Sequence, residues 1–297
     1  MNEQATAKQS GLRRYIPHAN VLLAGILWGM IGLFNRRLSA GGFSVRSIVL
    51  VRNLGSAVLM GLIFLVFDRS VFRISRRHLP YFFGTGVVSV LLFTLCYFSC
   101  QQMCSLAAAA VLLYTAPAFV VVLSAILWKD KITGRKLLAL AVAFLGCTFV
   151  TGVWSGDMSV TLLGAALGVG SGLFYGLYSI FARYALAHYA SMTVTFYTFV
   201  FAGAGSLLVM KPAELAEGFA KPGMALTVLG LVVVATVLPY LFYTRGLSKL
   251  DSGKASILAS IEPVTAAIVG VLAFGEPMSA AVVLGLGCIL AAVYILR

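Results

Sequence analysis

Apolar residues run through this chain in long unbroken blocks, and the polar ones gather in short stretches between them. A helix crossing a hydrocarbon layer of about 30 Å needs about 20 mostly apolar residues. Divided at charged or Gly/Pro-marked breaks, the chain yields ten such blocks: 19–38, 44–67, 79–100, 106–127, 135–153, 160–182, 191–210, 224–243, 253–273 and 279–296. The blocks are too long for strands and too uniformly apolar for amphipathic surface helices. The pattern predicts an all-α integral membrane protein with ten spanning helices.

Composition agrees. Of 297 residues 61% are hydrophobic and 10% charged, with mean hydropathy +1.00, whereas a soluble domain carries about a quarter charged residues. The net charge of +13 would suggest nucleic acid in a soluble chain. Here the basic residues fall between apolar blocks, so they read as topology signals and no nucleic-acid partner is expected. With the N-terminus inside, 16 of the 22 Lys and Arg lie on the cytoplasmic side. Five lie outside (Arg36, Arg37, Arg46, Lys211 and Lys221), and Arg52 alone lies within a span. That bias predicts an even number of spans, both termini cytoplasmic, in a multi-pass protein of the cell membrane. Residues 1–18 resemble a basic signal n-region, but no small-residue cleavage site follows, so a cytoplasmic tail is expected. The five cysteines (96, 100, 104, 147 and 288) lie in or beside apolar blocks and read as small packing residues rather than a disulfide framework. Cys96, Cys100 and Cys104 share one helical face, but no His, Asp or Met joins them at ligand spacing, so no metal site is expected.

The chain also repeats. Shifted by 146 residues, "LCYFSCQQMCSLAAAAVLLYTAP" falls on "LFYTRGLSKLDSGKASILASIEP", which aligns Tyr97 with Tyr243 and Pro117 with Pro263. The same shift places Asp130 on Glu276, and a shift of 147 places Gly25, Gly29 and Arg36 on Gly172, Gly176 and Arg183. Residues 19–153 thus form a first five-helix repeat and 160–297 a second. Five is odd, so the second repeat enters the membrane from the opposite face. This predicts two inverted repeats around a central cavity, the plan of many secondary transporters.

Each copy has an early "WG" or "YG" helix, a proline-containing fourth helix, an acidic residue 13 positions after that proline, and a final Gly/Leu-rich helix. This resembles the EamA-type branch of the drug/metabolite transporter superfamily over essentially the whole chain, most specifically in "EPVTAAIVGVLAFGEPMS". The first copy, "APAFVVVLSAILWKDKIT", departs by carrying Asp130 and no carboxylate before its proline. The resemblance implies alternating access and export of small metabolites, amino acids or related amphipathic or aromatic compounds, proton-coupled or facilitated, with no cofactor. The expected partners are a small-molecule substrate and the lipid bilayer, with the chain acting as a monomer and a dimer left open. A nucleotide-sugar or phosphorylated-metabolite carrier of the same fold is the alternative, and it would require clustered cavity cations.

Glu262 is the first candidate. Nine residues beyond Gly253, it lies about 14 Å deep, and its helical neighbours are mostly small. It reads either as a proton-carrying or substrate-amine-binding carboxylate, or as a structural acid satisfying groups near the Pro263 kink. Arg52, at similar depth, could pair with Glu262, bind a substrate carboxylate or pin two helices; a structural or gating ion pair is the favoured reading. Trp28, Tyr97, Tyr114, Tyr175, Tyr178, Tyr240 and Tyr243 are candidate cavity walls, since a tyrosine at depth needs a partner for its hydroxyl. For any one of them, interhelical packing is the simpler reading, as it is for Tyr197. Pro117 and Pro263 are hinge candidates; Gly168, Gly172 and Gly176, with Gly164, form a close-packing stripe. Pro239 is expected to bend its helix. Arg36 and Arg183 read as snorkelling anchors, with gating as the alternative. Asp130 and Glu276 read as complements of helix N-termini.

An intramembrane hydrolase is the competing class. It would need a nucleophile with a base, or metal ligands at depth. Ser171 in "GVGSGLF" invites the thought, but His18, His78 and His188 all fall at predicted membrane boundaries. Neither HExxH nor a P-loop occurs, so neither an enzyme nor an ATP-driven pump is expected.

Overall fold

The computed structural model describes residues 2–154, 160–209, 219 and 221–296, with side chains from Tyr15 onward. Lys211 and Arg297, used above for topology, lie outside the described residues, as does the last position of the block 191–210. The fold is built from helices α1 (Asn2–Gly29), α2 (Ile31–Ala40), α3 (Val45–Phe67), α4 (Arg76–Met103), α5 (Leu106–Leu113), α6 (Ala116–Trp128) and α7 (Gly134–Val150). There follow α8 (Leu162–Leu186), α9 (Ser191–Val209), α10 (Met224–Leu247), α11 (Ser252–Ala259), α12 (Glu262–Phe274) and α13 (Ala280–Ile295). Among the described residues eight segments are long and apolar enough to cross a membrane, counting α1–α2, α5–α6 and α11–α12 each as one. The other two blocks of the sequence reading correspond to α7 and α13, of 17 and 16 residues, which pack against each other. Large apolar side chains such as Leu62, Phe67, Leu162, Leu208 and Leu272 point outward, as a hydrocarbon surround requires.

The repetition read from the sequence recurs element by element. The 8-residue α5 and the 13-residue α6 have counterparts of equal length 146 residues later in α11 and α12. Ser105 caps α5 and Asp251 caps α11, accepting from the amides of Ala108 and Lys254; Thr133 and Ser279 likewise cap α7 and α13. A π-helical stretch interrupts both α4 (Gly84–Leu91) and α10 (Val233–Val237). In α10 it ends just before Pro239, which is how that helix absorbs its proline.

Pro117 and Pro263 do more than kink their helices. Proline has no N–H and its ring crowds the preceding turn, and each span splits into two half-helices, with the proline second in the later half. The gap is bridged by long three-residue turns, Thr115 N to Leu112 O at 3.3 Å and Ile261 N to Leu258 O at 3.4 Å. Glycines let neighbouring helices approach both breaks. A Cβ at Gly176 would lie 3.1 Å from the carbonyl oxygen of Ala116, and one at Gly29 would lie 2.6 Å from that of Glu262. Gly168 and Gly172 press on Leu112 and Thr115 in the same way. The glycine stripe of α8 therefore cradles the first break, and its repeat mate on α1 cradles the second.

The main packing contacts all cross between repeats: α1 on α10, α4 on α8, α3 on α9 and α7 on α13. One such contact has no repeat-related counterpart. Half-helix α11 packs along α6, with Gly253 against Val121. Its repeat mates, α5 and α12, are instead parted by a vestibule of about 320 Å³ lined by Ala110, Tyr114, Pro263, Ala267 and Gly270. The molecule is thus closed at one end and open at the other.

Candidate functional site

Above the closed end lies a cavity of about 150 Å³ at the level of the two helix breaks. Trp28, Arg52, Tyr97, Tyr114, Tyr175, Tyr240 and Glu262, seven of the sequence candidates, all line it. The break at Pro263 puts Glu262 on the first turn of α12, at the positive end of that half-helix, and Glu262 lines the cavity. The Tyr175 hydroxyl donates to Glu262 Oε2 at 3.3 Å. Phe93 packs against Tyr175 with ring centres 5.2 Å apart, and Trp28 meets Tyr240 edge-on at 5.2 Å. The result is an aromatic box with one acid and one cation.

Arg52 is not locked to that acid. Among the described residues the direct ion pairs are Arg36–Glu276, Lys136–Asp251 and Arg183–Asp130. Arg52 and Glu262 instead share the cavity wall as separate charges, which corrects the favoured reading of a direct pair. Asn53, the next residue, ties α3 to α9 through Nδ2 donating to Ser206 Oγ at 3.0 Å. Arg52 Nε, Trp28 Nε1 and Asn35 Oδ1 are all buried without a hydrogen-bond partner. Buried polar atoms are almost always satisfied, and here three unpaired ones fall on residues that line one small cavity.

Tyr178 and Tyr243 belong to a different layer. With Trp28, Tyr175, Gly176, Ser179, Tyr240, Ser256 and Ala259 they surround a gap of only about 20 Å³. The Tyr178 hydroxyl bonds Thr244 Oγ1 at 2.7 Å, and the Tyr243 hydroxyl bonds Ser179 Oγ at 2.7 Å. Their polar ends are satisfied inside the packing, so they form the floor that seals the closed end. Tyr197 packs elsewhere and donates to the Phe72 carbonyl. Asn35, Phe93 and Thr94 line the cavity but escaped the sequence reading; the one signal for Asn35 was an amide within an apolar block.

Two further clusters flank the cavity. Arg36 of the first repeat pairs with Glu276 of the second, its guanidinium 4.4 Å from the Phe274 ring centre. Arg183 of the second repeat pairs with Asp130 of the first through two hydrogen bonds, its guanidinium 4.3 Å from the Trp128 ring centre. Every member has its repeat mate in the other cluster. The same backbone turn presents both acids: a left-handed residue ends each half-helix, Lys129 (φ 57°) and Gly275 (φ 66°), and the next amide returns to the carbonyl of Ser124 or Gly270. Both arginines therefore hold ion pairs that cross between the repeats. The acids do not complement helix starts, since Thr133 and Ser279 hold the cap positions. Sequence reasoning aligned the acids and the arginines within their own sets, but pairing an arginine with an acid more than 50 positions away needed the fold.

Comparison with known proteins matches the description "EamA-like transporter family" twice, over residues 17–152 and 162–297. An uncharacterized transporter of Archaeoglobus fulgidus is 30% identical over 277 residues, covering 93% of this chain and 94% of that protein. The uncharacterized inner membrane transporter YicL of Salmonella typhimurium is 25% identical, covering 86% of each. The threonine/homoserine exporter RhtA of Escherichia coli K12 is 29% identical over 153 residues, about half of each chain. A solved crystal structure superposes with a TM-score of 0.77 over 94% of this chain and 95% of that one, at 16% identity, a likeness of fold.

Proposed function

Because this chain belongs to the EamA-like transporter family, we propose that it exports a small zwitterionic metabolite, an amino acid or a close relative, by alternating access. In this reading ten helices span the cell membrane as two inverted five-helix repeats, and both termini are cytoplasmic. The closed floor of Tyr178 and Tyr243 then faces the cytoplasm and the vestibule faces outward. The observation that carries the reading is the small aromatic cavity holding Glu262 and Arg52 apart, with Trp28 Nε1, Asn35 Oδ1 and Arg52 Nε unpaired. A substrate ammonium would take Glu262 and Asn35 Oδ1, its carboxylate would take Arg52 and the Trp28 N–H, and the aromatic faces would cover its side chain. Hydrogen bonds to charged groups are the strong ones. The name of the relative RhtA, an exporter of threonine and homoserine, supports this substrate class. A single cavity cation weighs against the phosphorylated-metabolite alternative, which calls for several.

The test is exchange by purified protein in proteoliposomes against a panel of amino acids and metabolites, with and without a pH gradient. Zwitterions should exchange, while analogues lacking the amine or the carboxylate should not. Glu262→Gln removes the charge and keeps the shape. It should lower exchange about tenfold or more, the loss of one charged hydrogen bond, and abolish any response to the pH gradient. A Glu262→Gln protein with full exchange and an unchanged pH response would make Glu262 a structural acid. Exchange of phosphorylated solutes alone would overturn the substrate class.

A further inference from the structure

The two Arg–acid–aromatic clusters are built alike, but they are not in the same condition. At the Arg183 end the ion pair makes two hydrogen bonds and its side chains are 27% and 16% exposed; at the Arg36 end one bond is made and the exposures are 57% and 44%. The Arg183 end carries a second pair between repeats, Lys136 Nζ to Asp251 Oδ1 at 3.0 Å, and Lys136 also donates to the nearby Lys131 carbonyl. The Arg36 end has no equivalent, because Val282 and Ser105 occupy the matching positions. Packing follows the same division: Gly253 touches Val121 at the Arg183 end, while the mate of Val121, Ala267, lines the open vestibule.

We propose that Arg36–Glu276–Phe274 and Arg183–Asp130–Trp128 are the two latches of the carrier, one at each end of its pathway, and that their unequal burial makes the Arg183 end the resting closed end. Each latch joins an arginine on the first span of one repeat to an acid at the end of the split fourth span of the other. Any rocking of one repeat against the other therefore strains one latch while it relieves its mate. The aromatic ring keeps the guanidinium flat and aimed when the carboxylate leaves, a role that lysine could not take. An ion pair withdrawn from water is screened less than an exposed one, so the drier latch sets the resting bias. The left-handed Lys129 fits this role: a lysine is held where its mate is glycine, in the turn that aims Asp130.

The proposal rests on the carrier reading, but its test needs no substrate. Gly32 lines the vestibule and a Cβ there meets nothing within 4 Å, so Gly32→Cys is a neutral reporter. Its alkylation by a membrane-impermeant maleimide is measured in sided membrane vesicles, against protein that keeps Gly32 and the native cysteines. Asp130→Asn should slow the alkylation, by up to about fivefold, as the population moves to the state open at the other end. The charge exchange Arg183→Asp with Asp130→Arg should restore it. Glu276→Gln should leave the rate within about twofold of the parent or raise it. Trp128→Leu removes only the platform and should shift the rate in the same direction as Asp130→Asn, which covers the case of a poorly expressed charge variant. Rates unchanged in both Asp130→Asn and Trp128→Leu overturn the proposal, as does an exchange that restores nothing in a folded protein. A protein that shifts as expected but carries no zwitterion leaves the latches standing and the substrate reading fallen; one that carries zwitterions without any shift does the reverse.

Discussion

Gly29 and Gly32 stand one turn apart on the vestibule wall, and an alanine at each should act in opposite directions. A Cβ on Gly29 would lie 2.5 Å from the Thr265 Cβ and 2.6 Å from the Glu262 carbonyl oxygen. Nonbonded carbons settle about 3.5–4.0 Å apart, so α1 would have to retreat about 1 Å from the break, or α12 from α1. Overpacking of this kind costs about 1–3 kcal/mol. Alanine recovers up to about 1 kcal/mol over glycine in a helix. That gain applies to Gly32→Ala as well, whose Cβ meets nothing within 4 Å. The difference between the two variants therefore isolates the packing cost of about 1–3 kcal/mol, about 2–10 °C in melting temperature at the domain sizes for which the scaling is known. Melting of the purified protein in detergent measures it. Exchange should fall in Gly29→Ala, because the retreat moves the backbone that carries Glu262, and should hold in Gly32→Ala. A Gly29→Ala protein that melts at or above Gly32→Ala would refute the idea that this glycine exists to let α1 reach the Pro263 break.

Lys129→Gly should raise the melting temperature, by relief of up to about 1 kcal/mol at a left-handed position; an unchanged or lower value would mean that the turn imposes no strain on lysine. Tyr243→Phe should cost about 1–2 kcal/mol by leaving the buried Ser179 hydroxyl without its partner. It should leave the apparent affinity for substrate within about twofold, since that residue seals the floor; a larger affinity loss would place it in the binding site.

Much of the scaffold was legible in the sequence because the bilayer leaves few choices. The apolar blocks fall close to the observed helices, and the 146-residue shift predicts which breaks and caps recur. A proline within an apolar block signalled interruption, but not that α5–α6 and α11–α12 separate into half-helices. That outcome depends on Gly176 and Gly29 bringing a neighbouring backbone against each break, a tertiary fact. Seven of nine cavity candidates converge because polar or aromatic groups at mid-depth need a common partner. Tyr178 and Tyr243 do not line the cavity, since Thr244 and Ser179 satisfy them locally, and nothing in residue type separates a tyrosine facing a cavity from one facing a threonine. The partners of Arg36 and Arg183 were illegible for a related reason: a self-alignment shows which residues are equivalent, not which ones meet.

What the duplication leaves unmatched bears on the chemistry. Breaks, caps, π-stretches, glycine cradles and the flanking Arg–acid pair each occur twice, so they belong to a frame that serves both ends alike. The cavity charges do not. Glu262 falls on Ala116 and Arg52 on Thr198, and Thr198 is spent on a buried bond to Thr85. Two equal halves with matched charges would present the same sign twice and suit a solute with two like ends. A zwitterion has unlike ends, and a doubled fold can bind it only by breaking its own symmetry at the centre. The acid and the cation, on a cavity where Trp28 meets its repeat mate Tyr175 edge-on, break it in that way: each charge comes from a different repeat, so in the proposed reading a substrate bound to both would bridge the two halves.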